Sequence, residues 1–224
     1  MRRFVRENSL SLGFGLLFLA ALVGQAAAGL ADFNNQQVAG GMATVSFGRY
    51  VTSADFAVDV TENWQSEYLQ FSLYIVLTVW LVQRGSPESK EPGKEGLETD
   101  EEQKVGQYAQ ADSPRWASTG RWRTALYSSS LGLVMGSVFL ACWFVQSVAG
   151  WAAYNEQQLS QLQDPLSWPG YLRSADFWSR SLQNWQSELL AVGSMAVLSI
   201  YLRQRGSPES KPVGASHKST GVAG

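Results

Sequence analysis

The sequence predicts an all-α integral membrane protein, with four transmembrane helices arranged as two tandem, parallel-repeat helical hairpins and amphipathic helices in the outward loops. Two observations carry that prediction: the apolar residues fall into four blocks, and the two halves of the chain repeat one another. Averages hide both, since 224 residues with 45% hydrophobic content and a formal net charge of −2 suit an ordinary soluble protein. The apolar residues nevertheless gather in 10–29, 68–82, 131–150 and 189–202, while charges crowd between and after these blocks. Segregation of this kind points to a bilayer.

A hydrocarbon core of about 30 Å takes about 20 helical residues to cross. The first and third blocks meet that length, giving expected spans at about 10–29 and 130–150. The other two are shorter, but each follows the pentapeptide NWQSE, at Asn63 to Glu67 and at Asn184 to Glu188. A helix entered at Asn63 and Trp64, or at Asn184 and Trp185, reaches spanning length, which places these spans at about 64–83 and 185–203. Ser187, Glu188, Ser194 and Ser199 make the fourth the most polar of the set. The first block, with Arg2, Arg3 and Arg6 before an apolar run ending in GQAAAG, also fits a secretory signal. The third block carries the same features in mid-chain, where no leader stands, and this favours a retained helix.

The repeat runs without a gap at a shift of 121 residues, from Ser9 and Ser130 to Lys90 and Lys211. Along it Gly15, Gln25, Gly29 and Asn34 recur as Gly136, Gln146, Gly150 and Asn155; Ser53 to Phe56 recurs as Ser174 to Phe177. NWQSE and QRGSPESK, the latter at Gln83 to Lys90 and Gln204 to Lys211, recur whole. Each unit then reads as a hairpin that crosses and returns. Two crossings restore the starting side, so both units share one orientation and the pseudo-symmetry axis is expected along the membrane normal.

Orientation follows from Lys and Arg. The N-terminus has Arg2, Arg3 and Arg6, the stretch from Arg84 to Arg123 has seven basic residues, and Arg203, Arg205, Lys211 and Lys218 follow the last span. The outward loops have only Arg49 in one and Arg173 and Arg180 in the other. Both termini and the central segment are therefore expected in the cytoplasm. The organisation that results is a first hairpin over 1–90, an acidic linker over 91–120, a second hairpin over 121–211 and a tail over 212–224. The linker, containing KEPGKEGLETDEEQK, buries too little apolar surface to fold alone and is expected to be disordered, as is the tail.

The outward loops have more pattern. Ser53 fits an N-cap ahead of Phe56, Val60 and Trp64 at four-residue spacing, and Ser174, Phe177 and Trp185 repeat the arrangement. A short amphipathic helix is expected in each, on the membrane surface or continuing the span outward. Trp64, Trp151, Tyr154, Trp168, Trp178 and Trp185 would form an outer aromatic belt, and Trp80, Tyr127 and Tyr201 an inner one.

Polar residues inside the expected spans are the functional candidates. Gln25 lies four residues before the outer end of the first span and Glu67 three after the outer start of the second. Both therefore sit about 5 Å below the outer boundary at about 1.5 Å rise per residue. The repeat adds Gln146 and Glu188 to the same layer, where Gln and Glu would bond across helices or hold a cation or proton. Gly132 and Gly136 form a GxxxG, echoed by Ser11 and Gly15, which suits close helix packing without naming the partner helix. At the cytoplasmic ends Arg84, Gly85 and Pro87, like Arg205, Gly206 and Pro208, read as helix stops: Gly for the left-handed cap, Pro to prevent resumption, and Arg to hold the end inside. Stopping a helix does not need eight identical residues, so a shared cytoplasmic contact is left open.

Catalytic chemistry finds little here. The one His is His217 in the tail and the one Cys is Cys142 inside a span, so neither a His-based metal site nor a Cys nucleophile with a nearby base is expected. No metal, cofactor or nucleic acid is expected. The segments RENSLSL, GQAAAG, YVTSADF, NWQSE and QRGSPESK together resemble an uncharacterised family of bacterial multi-pass membrane proteins, a domain of unknown function. That resemblance covers nearly the whole chain and implies a bacterial cytoplasmic (inner) membrane protein, without implying an activity or a substrate. The expected role is a structural or interaction protein of the cell envelope, not an enzyme, with the lipid bilayer and a homo-oligomer or membrane-protein partner as its company. The alternative is a small oligomeric transporter or channel built on Gln25, Glu67, Gln146 and Glu188.

Overall fold

The computed structural model describes residues 2–221, apart from the side chain of Arg121; Met1, at the start of the first hairpin, and the last three residues of the tail lie outside. The described residues are all-α, without a strand. The helices are α1 (Arg2–Glu7), α2 (Ser9–Ala39), α3 (Phe47–Val51), α4 (Ala54–Leu77), α5 (Arg121–Ser128), α6 (Ser130–Ser160), α7 (Trp168–Tyr171) and α8 (Ala175–Tyr201). Two single 3-10 turns, at Gly106–Tyr108 and Arg115–Ala117, interrupt the segment between α4 and α5.

α2 and α6 each have 31 residues. At about 1.5 Å per residue that is roughly 46 Å, well beyond a hydrocarbon core. Both continue some ten residues past the expected ends of their spans, because LADFNNQQVA and WAAYNEQQLS contain neither Gly nor Pro to stop them. Both are long and apolar enough to cross a membrane, and only 6% of the apolar window of α2 and 17% of that of α6 is buried by protein. Leu10, Phe14, Leu16, Leu17 and Val23 stand open on α2, where a core helix would hide them.

The expectation of four such helices is corrected to two. α4 begins ten residues before Trp64, so the amphipathic stretch is the first part of the same helix, and it ends at Leu77 rather than near 83. Its apolar part, Tyr68 to Leu77, covers only about 15 Å. The Thr78 hydroxyl donates to the Tyr74 carbonyl at 2.6 Å, and the chain leaves the helix in turns there. α8 reaches Tyr201, close to the expected end, but its first half is NWQSE, ending in Glu188, and its flanks, and Ser194 and Ser199 follow.

The chain divides into two compact units, each drawing on both sequence halves: residues 1–61 with 145–171, and 62–144 with 172–224. In the first, Tyr50 is 3% exposed and Tyr171 is 1% exposed. Tyr50 lies against Gly29 and Tyr171 against Gly150, where a Cβ would collide with each phenol oxygen. Phe33 packs at a tilt against Tyr50 and Tyr154 against Tyr171, both at 5.5 Å between ring centres. The loops are clamped alike. The Asn34 amide donates to the Val45 carbonyl at 3.1 Å and accepts from the Val45 N–H at 2.7 Å; Asn155 does the same to Leu166 at 2.9 and 2.8 Å. An Asn that answers both backbone groups of a residue eleven positions on fixes where the loop turns back.

In the second unit α6 meets α4. A Cβ on Gly132 would touch Val76 and Ile75, and one on Gly136 would press on the Ser72 hydroxyl at 3.3 Å. The GxxxG therefore serves an α6–α4 approach, whereas Gly15 on α2 has nothing within 4 Å.

Candidate functional site

The second unit holds two polar constructions, one at the entry to α4 and α8 and one at their far ends. At the entry, Ser174 caps α8 by accepting from the Phe177 N–H at 3.2 Å; in the first unit, Ser53 does the same for Phe56 at the start of α4. One turn further along, Arg180 pairs with Glu62 at 3.2 Å and with Asp176 at 3.5 Å. The indole N–H of Trp185 donates to Gln65 Oε1 at 2.7 Å, and Gln65 in turn donates to the Glu62 carbonyl at 3.0 Å. Trp143 of α6 donates to the buried hydroxyl of Ser181 at 3.2 Å. Its ring lies between Phe139 at 5.7 Å and Phe177 at 5.9 Å, with Trp185 at 5.6 Å. Apolar rings with their N–H groups satisfied make a dry, fixed joint.

NWQSE is thus used differently in its two occurrences. In the first, Gln65 is fully buried and Ser66 is 1% exposed, while Asn63 and Trp64 face outward. In the second, Trp185 points inward to Gln65 and Asn184 donates to the Arg180 carbonyl at 3.0 Å. Gln65 was missed because the motif's Asn, Trp and Glu drew attention, and no periodicity distinguishes a buried Gln from an exposed one.

The expected layer of Gln25, Glu67, Gln146 and Glu188 has members in both units. Gln25 and Gln146 belong to the first, where Gln25 is exposed and Gln146 is 1% exposed with neither amide atom bonded to a described residue. Glu67 and Glu188 belong to the second, exposed and half-buried, near enough for Glu67 to act electrostatically on Glu188.

At the far ends the two QRGSPESK segments adopt one local fold. The Ser86 N–H bonds to the Gln83 carbonyl at 3.1 Å and the Ser207 N–H to the Gln204 carbonyl at 3.2 Å, closing four-residue turns with Gly85 and Gly206 at φ +89° and +84°. The glycines therefore serve turns beyond the helix ends, not the caps of α4 and α8, which finish at Leu77 and Tyr201. Ser89 accepts from the Gln83 N–H at 2.7 Å and Ser210 from the Gln204 N–H at 2.9 Å. Ser86 and Ser207 accept from the N–H groups of Glu88 and Glu209. Arg84 and Arg205 are exposed; Pro87 is buried and Pro208 exposed.

Glu88 and Glu209 then meet. Both line one cleft, and hydrogen bonding to Glu88, then the charge of Glu88, then burial, raise Glu209 above the ordinary carboxylate value. The Tyr74 hydroxyl of α4 donates to Glu88. Both carboxyl groups and Tyr74 line a cleft of about 510 Å³, which α4 and α8 wall with Phe71, Val192 and Met195. Among the described residues no group of three or more His, Cys, Asp and Glu gathers to hold a metal ion.

Fold and site together define an all-α protein with two helices long and apolar enough to cross a membrane. The chain belongs to the family described as a domain of unknown function, DUF6766, whose model matches residues 1–222. No curated protein and no solved structure matches it.

Proposed function

We propose that this chain is a multi-pass protein of the bacterial inner membrane, built of two duplicated hairpins with both termini cytoplasmic. Its role is structural, as an interaction element of the cell envelope and not as an enzyme. The observation that carries this reading is the pair of 31-residue helices whose apolar surface is left open by the rest of the chain. Lipid is the solvent that such a surface fits. The Trp143 joint and the two Asn clamps support a rigid scaffold, since each fixes an outward loop.

Two measurements test this. Protein in isolated membranes should stay in the pellet after alkaline carbonate washing, and release into the supernatant would remove the membrane reading. Reconstituted protein should show no ion flux that depends on Glu67 and Glu188. A flux lost in a correctly folded Glu67→Gln, Glu188→Gln double variant would establish the transporter instead.

A further inference from the structure

The cleft between α4 and α8 combines open volume, apolar walls and two carboxyl groups. Its volume of about 510 Å³ is in the range of small-molecule sites. Phe71, Val192 and Met195 supply the apolar wall. Glu88 and Glu209 supply acceptors, and Gln70 adds Oε1, a fully buried atom on a half-buried residue that meets no donor among the described residues. A buried amide oxygen without a donor costs free energy until one arrives.

The carboxyl pair has the same need. Two carboxylates lining one cleft repel each other, and a proton or another cation beside them relieves that repulsion. Tyr74 donates to Glu88 only, and α8 faces the cleft with Ala191, Val192 and Met195, so neither brings a positive charge. A divalent metal is poorly served, because two carboxyl groups and an amide leave most of its coordination to water. An ammonium with three N–H donors suits two carboxylates and Gln70 Oε1, while the apolar wall suits a hydrocarbon body.

We propose that this cleft binds an organic monocation, a primary ammonium carried on an apolar body, with its charge against Glu88 and Glu209. The ligand chemistry is that of a free hydrophobic amine or of the ammonium headgroup of a lipid. Protons compete with the ammonium for the carboxylates, so affinity falls as pH drops through the raised value of Glu209. The titratable groups lining the cleft are Tyr74, Glu88 and Glu209. The inference goes beyond the structural role proposed above and does not depend on how many helices cross the membrane.

The test uses the full chain in nanodiscs of phosphatidylcholine, which has no primary ammonium, titrated calorimetrically with 2-phenylethylamine and, as the neutral comparison, 2-phenylethanol. Saturable binding of the amine alone is expected, about tenfold or more weaker in Glu88→Gln, Glu209→Gln, since charge-assisted bonds become neutral ones. Should the double variant fail to fold, Glu209→Gln alone, at an exposed position, should still weaken binding severalfold. Phosphatidylethanolamine in the disc separates the sources: competition assigns the lipid headgroup, and undiminished amine binding assigns the free amine. No saturable binding to the unaltered protein, equal binding of the alcohol, or unchanged affinity in the folded variants would overturn the proposal.

Discussion

The two QRGSPESK loops have identical sequences and share their turn and serine hydrogen bonds, yet they do different work. Around the first, the C-terminal segment closes in: the Gly85 N–H bonds to the Thr220 hydroxyl at 2.8 Å and the Gly221 N–H to the Ser86 carbonyl at 3.0 Å. Around the second, a Cβ at Gly206 would meet no described atom within 4 Å. The lysines that end the loops diverge likewise. Lys90 bonds to the Gly96 carbonyl at 2.6 Å and pairs with Glu98 at 2.5 Å, at a partly exposed position. Lys211 is 1% exposed, and its ammonium is shared among the carbonyls of Gly85, Ser216, His217 and Ser219. Burial, then the charge of Arg203, lower its pKa. Identity thus preserves a local turn, while the segment that follows each turn decides what the turn holds.

The sharpest way to break that comparison is at the glycines. Both have positive φ, so alanine costs each roughly 1–2 kcal/mol of backbone strain. At Gly85 the new methyl group would also collide with the His217 carbonyl and press on Ile200, adding about 1–3 kcal/mol. Gly85→Ala should therefore lower the unfolding midpoint in detergent clearly more than Gly206→Ala. Equal losses would mean that the C-terminal segment does not sit on the first loop.

The lysines come next. Lys211→Met removes the donor to four carbonyls and should cost about 2–4 kcal/mol, with the C-terminal segment opened to limited proteolysis. Lys90→Met loses a part-exposed pair and one carbonyl bond, about 1 kcal/mol. The serines sharpen the similarity instead. Ser89→Ala and Ser210→Ala each remove the acceptor of one loop N–H and should cost about 1 kcal/mol alike.

The smallest effect is one of pH. Because Glu209 is raised in the folded protein, the folded state holds its proton more tightly than the unfolded one. The contribution of the pair is present at acid pH and declines as pH rises from the ordinary carboxylate value of 4.5 through that of Glu209. Unfolding midpoints measured across that interval should fall for the native sequence and flatten in Glu209→Gln.

Much of the local fold was legible in the sequence for a reason these loops make plain. A shift of 121 residues pairs Asn34 with Asn155, Ser53 with Ser174 and Gly29 with Gly150, and the pairs make matching local bonds or contacts. Bonds within a short stretch depend on that stretch alone. What escaped were contacts between the halves: Trp185 to Gln65 and Lys211 to Gly85 at unlike positions, and Glu88 beside Glu209 at equivalent ones. A repeat says which residues are equivalent and is silent on which will touch. The early end of α4 escaped for a different reason, since Thr78, Val79 and Trp80 look apolar enough to continue a span, while the Thr78 hydroxyl takes the Tyr74 carbonyl and the chain turns.

We propose that α2 and α6 cross a membrane, with both termini on the cytoplasmic side. Reporter fusions at Gly40 and Gly214 test this most directly. The expected result is Gly40 outside and Gly214 inside; a cytoplasmic reporter at Gly40, or an outside reporter at Gly214, would contradict the arrangement.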